Sequence, residues 1–279
     1  MKVEANAKVN FTLEVFGKRA DGYHALRSVV MPISLSDTLD IEVTDDGEIT
    51  SDTGYDDDLC VKAARILRSS VSSLPSSLGA TIHVVKRIPA GGGLGGGSAD
   101  AAAVLRALNE LWKVGLSREE LAEVGAQVGS DVPALVFNAP VIMEGRGERV
   151  EDLRLKTGDL NLVLVNPGVH SSTKEVYAGC APRPQDGENA TARMVEALTS
   201  GRLEDIAAAL MNDLQAPAVK QHPEIADALV SLRTAGVVGA MMSGSGSSVF
   251  GLVADESDAK RISQELNARG LRAWPVHTI

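Results

Sequence analysis

The chain has 279 residues, 44% of them apolar, and a formal charge of −10 at pH 7, which allows two modest domains and argues against a broad basic surface for nucleic acid or anionic lipid. The start of the chain lacks the apolar core of a signal peptide, and no later stretch reaches membrane-spanning length. Two distant cysteines, Cys60 and Cys180, predict no disulfide framework, and five scattered histidines predict no dedicated metal cage, so we expect a cytoplasmic protein with neither nucleic-acid nor membrane partners.

The first predicted element is a strand. Apolar residues occupy every odd position from Val3 to Val15, and the intervening positions through Glu14 are polar, which is the period of a half-buried strand. Lys8 and Asn10 therefore share its polar face.

The middle of the chain combines helices with short strands. Ser117 and Glu120 form a capping box, which opens a helix that ends near Gly129. The patterns also predict a turn over 17–22, strands over 26–33, 38–43 and 80–85, helices over 59–71 and 99–112, and short strands around Val136 and over 141–144, 149–153 and 160–165.

The last third of the chain is mixed as well. Helical patterns cover 189–199, 202–211, 223–235 and 257–269, and strand patterns cover 237–242, 248–253 and 271–276. The polar segment 156–159 is the best boundary candidate, so we expect two domains, 1–155 and 160–279. The order of elements is α+β and differs from a uniform βαβ series.

A glycine-rich loop stands between the strand predicted over 80–85 and the helix predicted over 99–112. Unhindered backbone amides beside a helix N-terminus form an anion site, and glycine lets the backbone approach a ligand closely. A flexible linker is the alternative, but linkers usually mix Gly with Ser and do not abut an Ala-rich helix. We predict that this loop binds the phosphates of a ligand; its residues are Pro89, Ala90, Gly91, Gly92, Gly93, Leu94, Gly95, Gly96, Gly97 and Ser98.

Two common phosphate-binding folds are disfavoured. No lysine follows the glycines, which excludes a Walker loop. Gly91, Gly93 and Gly96 match GxGxxG formally, but the helix after them is followed by another helix and no acidic residue stands at the expected strand end, which disfavours a dinucleotide fold. A second glycine cluster, Met242 to Ser248, lies between two predicted strands and is either a hairpin turn or a second wall of the phosphate site.

Several side chains suit phosphoryl transfer, and each has a plain structural alternative. Asp131 is the leading base for an attacking hydroxyl, yet its setting from Gly129 to Pro133 also suits a helix N-cap. Lys8 could simply point to water. The loop Asp21 to His24 could bind a flat ring by stacking and hydrogen bonding, or it could be an ordinary turn. Tyr177 could stack on a ligand or pack in the core.

Five segments carry a family resemblance. They are Ala7–Leu13, Arg19–His24, Pro89–Ser98, Gly129–Pro133 and Ser243–Gly246. In this order they make the whole chain resemble the GHMP small-molecule kinases. The glycine loops mark that superfamily, and the first two segments mark the branch whose acceptor is a methylerythritol joined through a diphosphate to cytidine.

The resemblance implies a two-domain α+β GHMP kinase fold, with an N-terminal region like ribosomal protein S5 domain 2 and a ferredoxin-like C-terminal region. It also implies transfer of the γ-phosphoryl group of ATP, with Mg²⁺, to the 2-hydroxyl of that acceptor in non-mevalonate isoprenoid biosynthesis. We expect a monomer or homodimer whose partners are ATP and the small-molecule acceptor.

The resemblance also assigns roles to residues. Asp131 matches the family's base, and Lys8 matches the lysine that orients the acceptor hydroxyl and offsets developing negative charge. Ser98 lies near where other members use a serine for magnesium, although no second carboxylate ligand is evident. The remaining matches are Tyr23 and Tyr177 on the two faces of cytosine, His24 at its edge, Asn10, Thr173, Ser243 and Gly244 around the acceptor, and Lys86 and Leu59 on the nucleotide side.

The chain departs from the family in two places. Asp57-Asp58-Leu59 stands where the family commonly has Asp-Asn-Leu, which puts an asparagine contact to adenine in doubt, and Tyr177 replaces a common phenylalanine. A sibling kinase for homoserine or mevalonate is an alternative, but those acceptors carry no base for Tyr23, His24 and Tyr177 to read. A non-catalytic nucleotide sensor is another, and retention of both Lys8 and Asp131 argues against it.

Overall fold

Two sheets and ten helices make up the described part of the chain, residues 1–155, 159–184 and 189–279 of a computed structural model. The strands are β1 Lys2–Asn10, β2 Thr12–Lys18, β3 His24–Thr44, β4 Ile49–Ser51, β5 Gly79–Val85, β6 Val141–Gly145, β7 Arg149–Asp152, β8 Asn161–Asn166, β9 Met211–Asn212, β10 Gly239–Met242, β11 Val249–Val253 and β12 Arg272–His277. The helices are α1 Leu59–Ser70, α2 Gly96–Leu111, α3 Arg118–Val128, α4 Val132–Phe137, α5 Thr173–Ala178, α6 Ala190–Ser200, α7 Leu203–Ala209, α8 Gln215–Gln221, α9 Pro223–Thr234 and α10 Glu256–Ala268.

The larger sheet is built around β3. This 21-residue strand pairs with β1, β2, β5 and β6, all antiparallel. The strands predicted over 26–33 and 38–43 were confirmed, but they form one continuous strand, because the polar residues between them, such as Ser36, continue the ladder opposite Asn6.

The predicted strand from Val3 to Val15 is divided at Phe11 into β1 and β2, and from Ala5 onward it is buried on both faces. Lys8, Asn10 and Glu14 are each less than 5% exposed, so the expectation of a half-buried strand was wrong. The apolar face of β1 lies in the core with α2, whereas the polar face of β2 meets the second half of the chain, where Glu14 accepts hydrogen bonds from the backbone of Ala190 and Thr191. Polar residues can be buried there because these partners satisfy them.

A short helix replaces the strand predicted around Val136. All six residues of α4 are buried, and Pro133 stands in its first turn, where proline costs no hydrogen bond. A short buried apolar run has no periodicity that separates helix from strand. The capping box before α3 was confirmed, since Ser117 Oγ accepts from Glu120 N and Glu120 accepts from Ser117 N.

The smaller sheet has the order β10-β11-β8-β12, with all neighbours antiparallel. Two elements of the second half, α8 and β9, were missed by the sequence patterns. Strand β9 pairs in parallel with β2 in the larger sheet, so it joins the two halves of the chain. The boundary candidate 156–159 lies for the most part outside the described residues. Across the described ranges, every helix is too short or too polar to cross a bilayer.

Candidate active site

A cavity of about 1040 Å³ lies between the two halves of the chain. Its walls come from β1, the turn after β2, the first glycine loop (Pro89–Ser98), the turn before α4, the start of α5 and the second glycine loop (Ser243–Ser248). All the residues that the sequence assigned to the site line it, apart from Ser243: Lys8, Asn10, Tyr23, His24, Leu59, Lys86, the whole of Pro89–Ser98, Asp131, Thr173, Tyr177 and Gly244.

The first glycine loop passes directly into α2. The helix begins at Gly96, three residues earlier than predicted, and its N-cap Gly95 has left-handed backbone. No side chain of the described residues caps this helix, so the backbone amides of its first turn remain available to an anion. Lys8 N donates to Leu94 O at 3.0 Å and ties the loop to β1.

The two glycine loops are bonded to each other. Ser248 N donates to Gly92 O at 3.0 Å, and the Ser243 hydroxyl donates to Gly93 O at 2.9 Å. The second loop is therefore both of the predicted alternatives, a hairpin connection between β10 and β11 and a wall of the cavity. Ser243 is fully buried behind that wall, whereas Gly244 faces the cavity.

Lys8 and Asp131 meet across the cavity. Lys8 Nζ donates to Asn10 Oδ1 at 2.6 Å and lies 3.7 Å from Asp131 Oδ2. Asn10 Nδ2 in turn donates to Ser28 Oγ at 2.8 Å. Lys8 is 4% exposed and Asp131 is 34% exposed, so a buried cation faces a carboxylate that a ligand can reach. The pair suits deprotonation of a hydroxyl beside a fixed positive charge.

Asp131 is placed at the N-cap of α4 but does not cap it. Its backbone is in the α region, and within the described part of the chain its carboxylate accepts no hydrogen bond from the first turn of that helix. A capping aspartate ordinarily has extended backbone and accepts such a bond. The geometry therefore favours the catalytic alternative over the structural one.

Lys86 lines the cavity beside Gly96, between two buried carboxylates. Its ammonium donates to Asp37 Oδ2 and Asp100 Oδ2, both at 2.5 Å. Burial opposes its charge, but Asp100 and then Asp37 raise the pKa of Lys86 above its ordinary value. Burial raises the pKa of Asp100 to about 7. Asp37 also accepts from the backbone amides of Arg87 and Ile88, so this cluster anchors the entry to the first glycine loop.

The aromatic rings of Tyr23, His24 and Tyr177 all line the cavity. The His24 and Tyr177 rings stack with centroids 5.4 Å apart and planes 28° apart, and Tyr177 both lines the cavity and packs against the core. Burial, and then the charge of Asp131, raise the pKa of the Tyr177 phenol. Tyr23 is 51% exposed, and the Arg146 guanidinium lies 5.3 Å from its ring centroid.

The departure at Asp58 has a structural explanation. Its Oδ1 accepts from Cys60 N and Val61 N, and its Oδ2 accepts from Thr53 Oγ1. Asp58 is thus the N-cap of α1, with both carboxylate oxygens in use. The carboxylate lies outside the cavity lining, whereas its neighbour Leu59 is part of it.

Sequence reasoning missed several cavity residues. Arg146 stands at the tip of the β6–β7 hairpin, where Glu148 accepts from its backbone and pairs with Arg19 at 2.8 Å. No local motif marks Arg146, since it meets Tyr23 only through the pairing of distant strands. The other missed lining residues with polar side chains are Lys18, Tyr55, Ser130, His170, Ser171, Ser172, Lys174 and Ser245.

Comparison with known proteins supplies the family. The model of the GHMP kinases N terminal domain matches residues 58–139, and the model of the GHMP kinases C terminal region matches residues 194–271. A curated protein of Symbiobacterium thermophilum, named 4-diphosphocytidyl-2-C-methyl-D-erythritol kinase, is 40% identical over 291 residues, with full coverage of both chains. The chain belongs to the GHMP kinases. A protein of the same name from Pelotomaculum thermopropionicum is 42% identical over 265 residues, covering 93% of this chain and 91% of its own.

Solved structures agree with this GHMP kinase assignment. A crystal structure of 4-(cytidine 5'-diphospho)-2C-methyl-D-erythritol kinase has a TM-score of 0.83 at 33% identity, covering 100% of this chain and 99% of that one. The mevalonate kinase of Methanococcus jannaschii has a TM-score of 0.73 at 17% identity, covering 100% of this chain and 98% of that one. It shares the fold. The predictions of an α+β GHMP kinase fold and of an ATP-dependent small-molecule kinase were confirmed.

Proposed function

We propose that the chain phosphorylates the 2-hydroxyl of 4-diphosphocytidyl-2-C-methyl-D-erythritol with ATP, as a step of non-mevalonate isoprenoid biosynthesis. The observation that carries the proposal is the aromatic group beside the Lys8 and Asp131 pair, where His24 stacks on Tyr177 and Tyr23 lies under Arg146. A nucleobase, which is flat and carries polar atoms at its edge, can stack on aromatic rings of this kind. Mevalonate and homoserine have no base to place there. Relatives at 40% and 42% identity carry the name of this activity.

The reaction follows from the positions of the polar groups. The acceptor hydroxyl gives its proton to the Asp131 carboxylate, and its oxygen forms a bond to the γ-phosphorus while the bond to the bridging oxygen of ADP breaks. Lys8 lies 3.7 Å from Asp131 and offsets the negative charge that develops on the acceptor oxygen and the transferring phosphoryl group. The amides at the start of α2 hold the nucleotide phosphates.

Mg²⁺ is part of this proposal as a companion of ATP. Among the described residues no cluster of three His, Cys, Asp or Glu side chains could hold a metal ion. Asp37 and Asp100, the carboxylates nearest the loop entry, are both engaged by Lys86. The Ser98 hydroxyl, in the first turn of α2, would be the protein's contact to a Mg²⁺ ion held mainly by the phosphates. The ion would neutralise negative charge on the phosphoryl group during its transfer.

The acceptor test decides the proposal. Purified protein with ATP and Mg²⁺ is expected to release ADP in the presence of 4-diphosphocytidyl-2-C-methyl-D-erythritol and to show no such release with mevalonate or homoserine. Phosphorus NMR of the product identifies the phosphorylated hydroxyl. Turnover of mevalonate or homoserine, or a lack of turnover with the cytidine-linked acceptor, would overturn the assignment.

The ring of Tyr177 is expected to contribute to acceptor binding. Stacking between a base and an aromatic side chain contributes about 1–3 kcal/mol, so Tyr177→Ala should raise KM for the acceptor by about 10- to 100-fold and leave KM for ATP within about twofold. Tyr177→Phe is the matched control, because it retains the ring and should resemble the wild-type protein. Equal KM values for the acceptor in both variants would show that the ring does not contact it.

The domain division and the compartment also belong to this proposal. Residues 1–155 would form the part that carries both catalytic side chains, and 160–279 the part that closes the cavity. The two family segments, 58–139 and 194–271, fall on either side of the division and support it. A reducing cytoplasm is proposed, with support from the free thiols of Cys60 and Cys180.

A further inference from the structure

Asn212 binds the second glycine loop from behind. Its Nδ2 donates to the carbonyl oxygens of Met242 and Gly244, both at 2.8 Å, and its Oδ1 accepts from Leu214 N at 2.9 Å. The two amide hydrogens are thereby used on the two residues that flank Ser243. A carboxamide is the natural group for this position, because it offers two donors in one plane.

The backbone held by Asn212 touches the reacting end of the cavity. Gly244 has a positive φ of +56°, and a methyl group placed on it would lie 3.3 Å from Lys8 Nζ and 3.0 Å from Gly93 O. Gly244 therefore lies close to both the Lys8 ammonium and Gly93 of the first glycine loop. A shift of its peptide would change the room available to Lys8.

Asn212 also belongs to the wall that carries Lys8. Strand β9 pairs in parallel with β2, with Leu13 opposite Asn212. Met211 N donates to Phe11 O, and Asp213 N donates to Leu13 O. Since β2 continues from β1 after one residue, Asn212 connects the strand of Lys8 with the loop that faces Lys8.

We propose that Asn212 is a positioning residue for phosphoryl transfer, which holds Gly244 against Lys8 and so sets the position of the Lys8 ammonium relative to Asp131. The inference rests on the role given to Lys8 in the proposed function. Nucleotide binding should depend on Asn212 much less than chemistry does. The bonds that join the two glycine loops come from Ser243 Oγ and Ser248 N, and neither of them involves Asn212.

The test compares two substitutions of Asn212. Small displacements of reacting groups can cost about 100-fold in rate, so Asn212→Ala should lower kcat by about 10- to 100-fold while KM for ATP changes by less than about threefold. Asn212→Asp retains the shape but sets a carboxylate against two carbonyl oxygens, and its kcat should be lower still. If the side chain only filled space, the aspartate variant would resemble the wild-type protein, and that result would overturn the proposal.

Asn267 offers a matched control. Its Nδ2 donates to Ala273 O, and its Oδ1 accepts from Ala273 N, so Asn267→Ala also removes side-chain bonds to the backbone, at a site outside the cavity lining. Its kcat should equal that of the wild-type protein. An equal fall in kcat in Asn267→Ala and Asn212→Ala would reveal general loosening and overturn the proposal.

A double substitution tests whether Asn212 acts through Lys8. In a Lys8→Met background, Asn212→Ala should lower kcat by less than about twofold, because the group that it positions is gone. If Asn212→Ala lowered kcat in the Lys8→Met background as much as it does in the wild-type protein, the proposal would be overturned.

A second variant covers the case in which Asn212→Ala does not fold. Asn212→Ser, which retains one donor, then takes its place, and failure of both variants to fold would assign Asn212 a purely structural role and overturn the proposal. Wild-type protein inactive on the cytidine-linked acceptor would overturn the proposed function and this inference together, whereas active wild-type protein with an unchanged variant overturns this inference alone.

Discussion

Replacing Asp131 with asparagine is expected to lower kcat by about 10³-fold, within the range that general-base catalysis contributes, while the affinity for ATP stays within about twofold of the wild type. The reason is the geometry of the side chain. The Asp131 carboxylate is one-third exposed, lies 3.7 Å from Lys8 Nζ and serves no cap among the described residues of α4. An asparagine fills the same space but cannot accept the proton of the acceptor hydroxyl. Steady-state kinetics and calorimetric titration with ATP measure the two quantities.

Asp255→Asn is the control for this substitution. Asp255 is an exposed N-cap of α10 whose carboxylate accepts from Asp258 N, and asparagine caps about as well as aspartate. The Asp255 variant should keep full turnover. If Asp131→Asn also kept full turnover, Asp131 would be a plain residue of the helix start, and another base would have to be sought in the cavity.

Replacing Gly93 with alanine is expected to disrupt the site through the backbone. Gly93 has a φ of +72°, and a methyl group on it would lie 2.2 Å from Ser243 O, a distance that requires the two glycine loops to separate. Left-handed backbone costs a non-glycine residue about 1–2 kcal/mol, and overpacking adds about 1–3 kcal/mol. We expect a loss of stability of about 3 kcal/mol and a fall in ATP affinity of about 100-fold. Thermal unfolding and ATP titration measure these effects.

Gly97→Ala separates this effect from a general sensitivity of the loop. Gly97 lies four residues later in the first turn of α2, and a methyl group on it would meet only Leu59 Cδ1 at an ordinary 3.5 Å. The variant should unfold at nearly the wild-type temperature, because alanine is a better helix former than glycine. Equal destabilisation by the two alanines would mean that the contact with Ser243 has no special importance.

The substitutions at Gly93 and Asn212 concern the same structural feature, the second glycine loop. Gly93 of the first glycine loop meets the second loop through Ser243, and Asn212 binds it from behind, through Gly244 and the adjoining Met242. The expected effects differ, because in the proposed function the backbone of Gly93 approaches phosphate, whereas Asn212 only holds the wall beside Lys8. A loss of ATP affinity in one variant and a loss of kcat in the other would separate nucleotide binding from chemistry.

Local patterns were sufficient wherever a residue's neighbours in sequence are also its neighbours in space. The capping box of Ser117 and Glu120, the alternation in β1 and the passage from the first glycine loop into α2 all depend on contacts within a few residues. The order of the motifs was also sufficient for the GHMP kinase family, which the comparisons confirmed.

Tertiary structure decided the remaining questions, because they depend on contacts between residues far apart in the chain. The backbone angles of Asp131 and the lack of a cap bond among the described residues argue against a helix cap, and its distance of 3.7 Å from Lys8 supports the proposed role as a base. Arg146 reaches Tyr23 only because β6 pairs with β3. The strand of Lys8 carries the expected alternation, but its polar face is buried through residues far away in the chain, since Asn10 meets Ser28 and Lys8 meets Asp131. Periodicity records which side chains share a face of a strand, whereas what covers that face is set by the fold.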